Sequence, residues 1–323
     1  MKILVTGATG FVGSHLVEEL LAGGRDQVVA LVRNGGKLNA CAFRDKISIV
    51  RGDLFASESL PDDIELVFHL AAVTKIVRQR EFMHINSEGT LSLLEKLKPL
   101  KKLRKAVLLS SLAAAGPNRG RACLQEEMPA QPISAYGRSK LAQEEIFAAH
   151  CPVPYLIIRA PIVFGPGDMD MLDAFRILAK GILPVLGRKE RRYSVIYVKD
   201  LVRGMVAAAN SPCQNEIFYI ANPEPIEWQA FMEQVARVLG RKKMRKIVIP
   251  EALGRALAEF SELHIRTFGK KAIFNRDKFN EMKFPAWVCS PAKIDSQIHF
   301  QPRAPLQEAL KETIDWYRAR DML

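Results

Sequence analysis

Short apolar runs alternate along the first half of the chain with longer amphipathic stretches. Ile3-Leu4-Val5, Val28–Val32, Ile47–Val50, Leu66–Leu70, Ala106–Leu109 and Tyr155–Ile158 read as strands of the kind buried on both faces of a parallel sheet. Helical periodicity fills the gaps, most clearly over Met83–Leu97 and Tyr136–Ala149. Strands alternating with helices predict an α/β fold, a doubly wound parallel sheet. Regularity fails after the turn cluster Gly165-Pro166-Gly167. The expected division is therefore residues 1–165 against 166–323, the second part smaller and mixed. Val198–Asn210 reads as a helix and Ile217–Ile220 as a strand, so segments near 197–222 are expected to return to the first domain. Trp228–Leu239 and Leu306–Tyr317 read as further helices.

The strand Ile3-Leu4-Val5 runs into Gly7, Gly10 and Gly13 and then into a helical pattern carrying Phe11, Val12, Leu16, Leu20 and Leu21. The first glycine permits a tight turn. The second lets backbone approach a pyrophosphate, and the third allows close helix–strand packing, with the anion at the helix N-terminus. Strand, glycines and helix in this order are the context a dinucleotide site requires.

Composition changes this picture little. At 323 residues the chain can bury a sizeable core. No apolar run approaches the ~20 residues of a membrane-spanning helix. The glycine turn interrupts the N-terminus, which argues against a signal peptide. Five scattered cysteines imply a reducing, cytoplasmic setting with neither a disulfide framework nor a zinc site, and six histidines without an H-x-x-x-H pair argue against a metal. Net charge is +12. The densest basic runs, Lys101–Lys105 and Arg241–Lys246, each precede an apolar strand-like run and lack interleaved aromatics. They read as solvated surface and not as a nucleic-acid site, with anionic substrates or lipid surfaces left open.

Tyr136-Gly-Arg-Ser-Lys140 carries the candidate chemistry. A Tyr and a Lys four apart on a helix share a face. A lysine cation beside a phenol favours the phenolate and is expected to pull the Tyr pKa below about 10, tuning it to pass a proton to or from a substrate oxygen. Taken alone, the pair also occurs on ordinary helix surfaces.

Several motifs in order resemble the extended short-chain dehydrogenase/reductases, the epimerase/dehydratase superfamily with a Rossmann domain. They are Thr6-Gly-Ala-Thr-Gly-Phe-Val-Gly13, Gly52-Asp53-Leu54, His69-Leu-Ala-Ala72, Asn86 before Gly89-Thr90, Ser110-Ser111, Tyr136-x-x-x-Lys140, Arg159 with Val163-Phe-Gly-Pro166, and Tyr197-Val-Lys-Asp200-Leu. The resemblance implies Tyr136 as the acid/base and Lys140 as the lysine that holds the nicotinamide ribose. It implies Ser111, 25 positions before Tyr136, as the serine bonded to the reacting oxygen, with Ser110 as the alternative, and Asn86 as support for a proton relay. It implies Asp53 on the adenine, and Ala71 and Ala72 where backbone passes close to the cofactor. Gly7, Thr9, Gly10, Phe11, Val12, Gly13, Leu54, Leu70, Ser110, Pro161 and Val163 would line the rest of that site. A homodimer through the helices around Met83–Leu97 and Tyr136–Ala149 is likewise implied by the family.

Cofactor choice follows from charge. After the second strand, where an acid would hold a ribose 2′-hydroxyl, stands Val32-Arg33-Asn34. An Arg there suits a 2′-phosphate, so NADP(H) is favoured and NAD remains possible. Members acting on nucleotide sugars carry an Asn three after the arginine of the sixth strand; here Ile162 stands there. The Arg159-Ala-Pro161 form resembles the hydroxysteroid-dehydrogenase and dihydroflavonol-reductase branch, whose small-molecule substrates are more apolar. The expectation is hydride transfer to a ketone or from a secondary alcohol. A nucleotide-sugar epimerase or dehydratase with tightly bound NAD is the alternative, and a non-catalytic dinucleotide sensor is the rival from another class. Finally, Leu253, Leu257, Phe260, His264 and Phe268, with Ala256 and Leu263, form an apolar stripe over Glu251–Phe268. It is expected to be a buried core or dimer face, with a lid or membrane contact as the other reading.

Overall fold

Apolar runs with no polar face must be covered on both sides, and the chain achieves this by laying them side by side. A computed structural model describes residues 1–33, 35–39, 41–74, 80–120, 123–187, 189–268 and 276–323, apart from the side chains of Lys37 and residues 262–268. Six strands, β1 (Lys2–Thr6), β2 (Gln27–Val32), β3 (Ser48–Arg51), β4 (Leu66–His69), β5 (Lys105–Ser111) and β6 (Tyr155–Ala160), join the strand Glu216–Tyr219 in one sheet. Its order is Glu216–Tyr219, β6, β5, β4, β1, β2, β3, and every pairing is parallel. The chain order reverses between β1 and β4, and the turns leaving their C-terminal ends diverge there into a crevice.

Side-chain alternation along β1 shows how the sheet is clothed. Ile3 and Val5 face a layer that includes Leu16, Val17 and Leu20 of the helix Phe11–Ala22 and Leu201, Val202 and Met205 of the helix Val198–Asn210. Leu4 faces the other layer, with Leu93, Leu94 and Leu97 of the helix Gly89–Leu97 and Phe147 of the helix Ala135–His150. A third apolar cluster builds the later half around Phe164, Phe175, Phe231, Leu310, Ile314 and Tyr317. Smaller sheets edge it, among them the parallel pair Ile182–Leu186 and Arg245–Ile249. Among the described residues, no helix is long and apolar enough to cross a membrane.

Most expected elements fall within a residue or two of their positions, and two differ in kind. The helix expected over Met83–Leu97 contains a π-helical turn, Met83–Glu88, where Gly89 N donates to His84 O five residues back. Periodicity over fifteen residues does not reveal one inserted residue. The helix Glu251–Phe268 forms, yet Leu253, Leu257 and Phe260 are exposed, which overturns the buried-core expectation for this part of the stripe. Gly254 and Ala258 turn to the protein instead, against Leu186 and Phe279. The side chains of Leu263, His264 and Phe268 lie outside the described residues.

One buried ion pair fixes the helix Ala135–His150 to the sheet. Arg159 on β6 donates through Nε and Nη2 to Glu144, at 3.0 Å to Oε1 and at 3.1 and 2.7 Å to Oε2, and both side chains are only 4% exposed. Arg159 Nη1 also reaches the Tyr219 hydroxyl at 3.3 Å. Removing the carboxylate would leave a buried guanidinium unpaired. Glu144→Ala is expected to cost about 3–5 kcal/mol in urea denaturation; a loss below ~1 kcal/mol would show that solvent reaches the site and the pair clamps nothing.

Candidate active site

The turn after β1 is shaped for a close approach. Gly7 has φ +75°, and a Cβ there would stand 2.8 Å from Ala71 N and from the Leu70 carbonyl carbon, in the turn after β4. Gly13 is as confined, since its Cβ would lie 2.1 Å from Gly7 O. Gly10 caps the helix Phe11–Ala22, whose first turn carries no acidic side chain. Bare helix N–H groups, an uncompensated positive dipole end and a glycine surface together fit a pyrophosphate. Thr9, Phe11, Val12, Leu70, Ala72, Pro161 and Val163 join the three glycines along a cleft of about 1570 Å³.

Ser110, Ser111, Tyr136 and Lys140 line the same cleft. Ser111 ends β5, caps the short helix Leu112–Ala115 by accepting from Ala113 N at 3.1 Å, and stands close enough to the Tyr136 phenol to act on its titration. Its neighbour Ser110 donates instead to buried Glu144, so the two hydroxyls of the doublet serve different partners. The lysine departs from expectation. Lys140 Nζ donates to Leu109 O at 2.8 Å and to Gln143 Oε1, and burial lowers its pKa to about 8. Tyr136 is not pulled down: desolvation pushes its phenol up to about 12, against a smaller lowering by the neighbouring Ser111 hydroxyl. Helical spacing brings the two residues to one face, but the lysine's nearest acceptors lie elsewhere, and desolvation decides the sign.

Behind Lys140 runs a polar chain that the sequence motifs contained but did not explain. Thr90 Oγ1 donates to Asn86 O at 2.6 Å, so it accepts from His69 Nε2 at 2.8 Å and from Gln143 Nε2 at 2.8 Å. His69 therefore carries its proton on Nε2, and Nδ1 accepts from Thr6 Oγ1 at 2.7 Å. Thr6 Oγ1 in turn accepts from Ala71 N at 3.2 Å. An unbroken hydrogen-bonded path thus joins the glycine turn, through a neutral imidazole, to Asn86 and, by way of Gln143, to Lys140. Burial first, and the Lys140 charge second, push the His69 pKa down to about 3. Gln143 could have been suspected from its place three residues after Lys140, on the same helix face. His69 and Thr6 sat unassigned inside quoted motifs.

The remaining five expected site residues lie behind or beside the cleft lining. Asn86 is buried, its Oδ1 accepting from Val73 N at 2.8 Å and its Nδ2 donating to Val73 O at 3.1 Å and Ser139 Oγ at 3.0 Å. Ala71 backs Gly7. Asp53 closes its own turn, with Oδ1 accepting from Phe55 N at 2.9 Å and Ala56 N at 2.8 Å, and these backbone bonds, Ala56 foremost, hold its pKa low. Leu54 is buried beneath Gly89. Arg33 is exposed at the end of β2, close enough to act electrostatically on Asp53.

A parallel sheet reversed at β1 and β4, with a glycine turn in the crevice, defines a dinucleotide-binding protein. Residues 3–221 match the model of the NAD dependent epimerase/dehydratase family, and the chain belongs to that family. It is 28% identical to a ceramide reductase of Caulobacter vibrioides over 99% of this chain and 96% of that one. It is 26% identical to a 3 beta-hydroxysteroid dehydrogenase/Delta 5-->4-isomerase of Mycobacterium tuberculosis, over 98% and 90%. Among solved structures it superposes on a UDP-glucuronic acid 4-epimerase of Bacillus cereus with a TM-score of 0.77, 22% identity, and 99% and 100% of the two chains covered.

The neutral imidazole has a consequence for acid stability. Between pH 6.5 and about 3 the unfolded chain binds a proton at His69 that the folded chain refuses, so stability falls as pH drops through this window. One proton is worth a slope of about 1.4 kcal/mol per pH unit. Urea midpoints from pH 6.5 to 4 should show that slope in the wild type and its loss in His69→Gln; parallel pH profiles would show that His69 is charged in the fold.

Proposed function

We propose that this chain is an oxidoreductase that transfers hydride between NADP(H) and a ketone or secondary alcohol of a large, apolar small molecule. The observation that carries the reading is the Ser111 hydroxyl set beside the half-buried Tyr136 phenol on a cleft whose other wall is mainly apolar. Ile162, Leu183, Trp228, Met232, Leu257 and Met282 line that wall. Ile162 offers no donor to a substrate diphosphate. Relatives whose names specify ceramide or hydroxysteroids support a lipid-like substrate. In this reading residues 1–165, with returning segments near 197–222, hold the cofactor, while the remainder of 166–323 shapes the substrate wall.

The nicotinamide, when bound, supplies or accepts the hydride. Tyr136, held protonated by a pKa near 12, donates its proton to the substrate oxygen in reduction. Ser111 donates a hydrogen bond to the same oxygen and fixes its distance from the phenol. Lys140, one helical turn on, lines the same cleft with its ammonium held by Leu109 O and Gln143, in place to meet the bound cofactor. Asn86 and the helix dipole end at Gly10 keep their places on either side. Oxidation uses the same groups in reverse.

Spectrophotometric NADPH oxidation across ketones, steroids, long-chain amides and nucleotide sugars tests the reading. Tyr136→Phe should lower turnover of any accepted substrate by about 10²-fold or more while leaving cofactor affinity unchanged, because one proton donor is lost from the chemistry. Turnover within a few-fold of wild type would remove Tyr136 from the mechanism. Purified protein carrying tightly held NAD, with nucleotide-sugar turnover and no net cofactor consumption, would establish the epimerase alternative.

Cofactor choice rests on Arg33, exposed at the end of β2. Fluorescence titration should give NADPH at least about tenfold tighter than NADH, with the difference abolished by Arg33→Ala. Equal or tighter NADH binding would reverse the assignment.

A further inference from the structure

We propose that the strand Arg245–Ile249 and the outward face of the helix Glu251–Phe268 form a docking surface for an anionic lipid bilayer, placed at the mouth of the substrate wall. The inference rests on the apolar-substrate reading and adds where such a substrate enters.

The surface is apolar where water would ordinarily be met by charge. Phe260 is 71% exposed, and Val248 and Leu253 are each 51% exposed; Leu257 and Ile247 are exposed as well. At about 100° per residue, Leu253, Leu257 and Phe260 form one stripe. Gly254 and Ala258 form the adjoining stripe, packed on Leu186 and Phe279. The exposed apolar stripe therefore adjoins the packed one on the helix surface, with only the small hydroxyl of Ser261 at their border. Leu257 lies on both: it is exposed, and it lines the cleft with Ile249 and Leu186. A molecule leaving an apolar phase at this patch meets the apolar wall of the cleft without crossing open water.

Charge selects the occupant. From Arg241 to Phe260 the chain carries six cations, Arg241, Lys242, Lys243, Arg245, Lys246 and Arg255, against the two carboxylates Glu251 and Glu259. Both carboxylates already have cationic partners, Glu251 with Arg191 at 3.9 Å and Glu259 with Arg276 at 3.5 Å. Arg241, Lys242, Lys243 and Arg245 are exposed and make no ion pair among the described residues. An apolar stripe flanked by unpaired cations suits the headgroup boundary of an anionic membrane, where apolar insertion and electrostatic attraction act together. A second copy of the chain suits it poorly, because a two-fold interface would set each basic run against its equivalent.

Vesicle flotation of the full chain tests this without any substrate. The probes are vesicles of phosphatidylcholine alone and of phosphatidylcholine with roughly 30 mol% phosphatidylglycerol. The chain should float with the anionic vesicles and remain behind with the neutral ones. Recovery should fall about tenfold in roughly 0.5 M salt, in the double variant Leu253→Glu/Phe260→Glu, and in Lys242→Glu/Lys243→Glu. Both variants should keep wild-type NADPH binding, which shows that they are folded. Absence from the anionic fraction while NADPH still binds would overturn the proposal. So would equal recovery of wild type and variants, or a dimer that Phe260→Glu dissolves. The readout is independent of turnover, so a failed ketone panel and a failed flotation point to different errors.

Discussion

The geometry of the site depends on how near the turn after β1 can come to the turn after β4. Thr6 and His69 are register partners on adjacent strands, and the next residue on each side brings backbone against backbone. At Gly7 there is no room for even a methyl group, because Ala71 N and the Leu70 carbonyl carbon occupy the place a Cβ would take. This contact draws the helix Phe11–Ala22 directly behind the crevice and aims its N-terminus into it. Gly13 then settles against Gly7 O, locking helix to turn. Any side chain at Gly7 would push the two turns apart and move the N-terminus of the helix away from the serine and tyrosine across the cleft.

The same junction is wired as well as packed. Ala71 N, Thr6, His69, Thr90 and Asn86 O form a directional sequence of donors and acceptors, with Gln143 linking it to Lys140. Each member before the lysine is uncharged, so the path crosses the sheet's interior without a buried ion to desolvate. Burial of the imidazole keeps it so. Charge is confined to the ends of the system: the lysine at the cleft, and the Glu144–Arg159 pair that holds its helix.

Sequence reading recovered the fold because its signals are strong and local. Continuous apolar strands, a glycine turn and amphipathic helices each specify one kind of packing. It recovered residues that share the cleft, such as Thr9, Ser111 and Tyr136, because the motifs report juxtaposition. It failed on direction. Four-residue spacing says that Tyr136 and Lys140 share a face, not that the ammonium prefers Leu109 O and Gln143. With the lysine turned away, desolvation of the phenol turned the expected fall in its pKa into a rise. It also misplaced part of the outward stripe of Glu251–Phe268 in the core, since an apolar periodicity states that a face is apolar and not what covers it. Asp53 shows a subtler limit: the carboxylate is where the motif put it, and Oδ1 is occupied by its own turn.

The π-helical turn at Met83–Glu88 has a consequence for how this chain tolerates change. One residue inserted in a helix acts as a phase shift: the faces before it are rotated about a third of a turn relative to those after it. Asn86 sits inside the shift, reaching Val73 with its side chain and Thr90 with its carbonyl. Phe82, upstream, is set against Tyr136, while Leu93 and Leu94, downstream, are set against the sheet. Deleting a single residue here would restore a regular helix and give up one of those two alignments. Chimeras that exchange this helix must therefore carry the turn as an indivisible cassette, and an aligned gap of one position in this segment marks a change of wiring and not a neutral length difference.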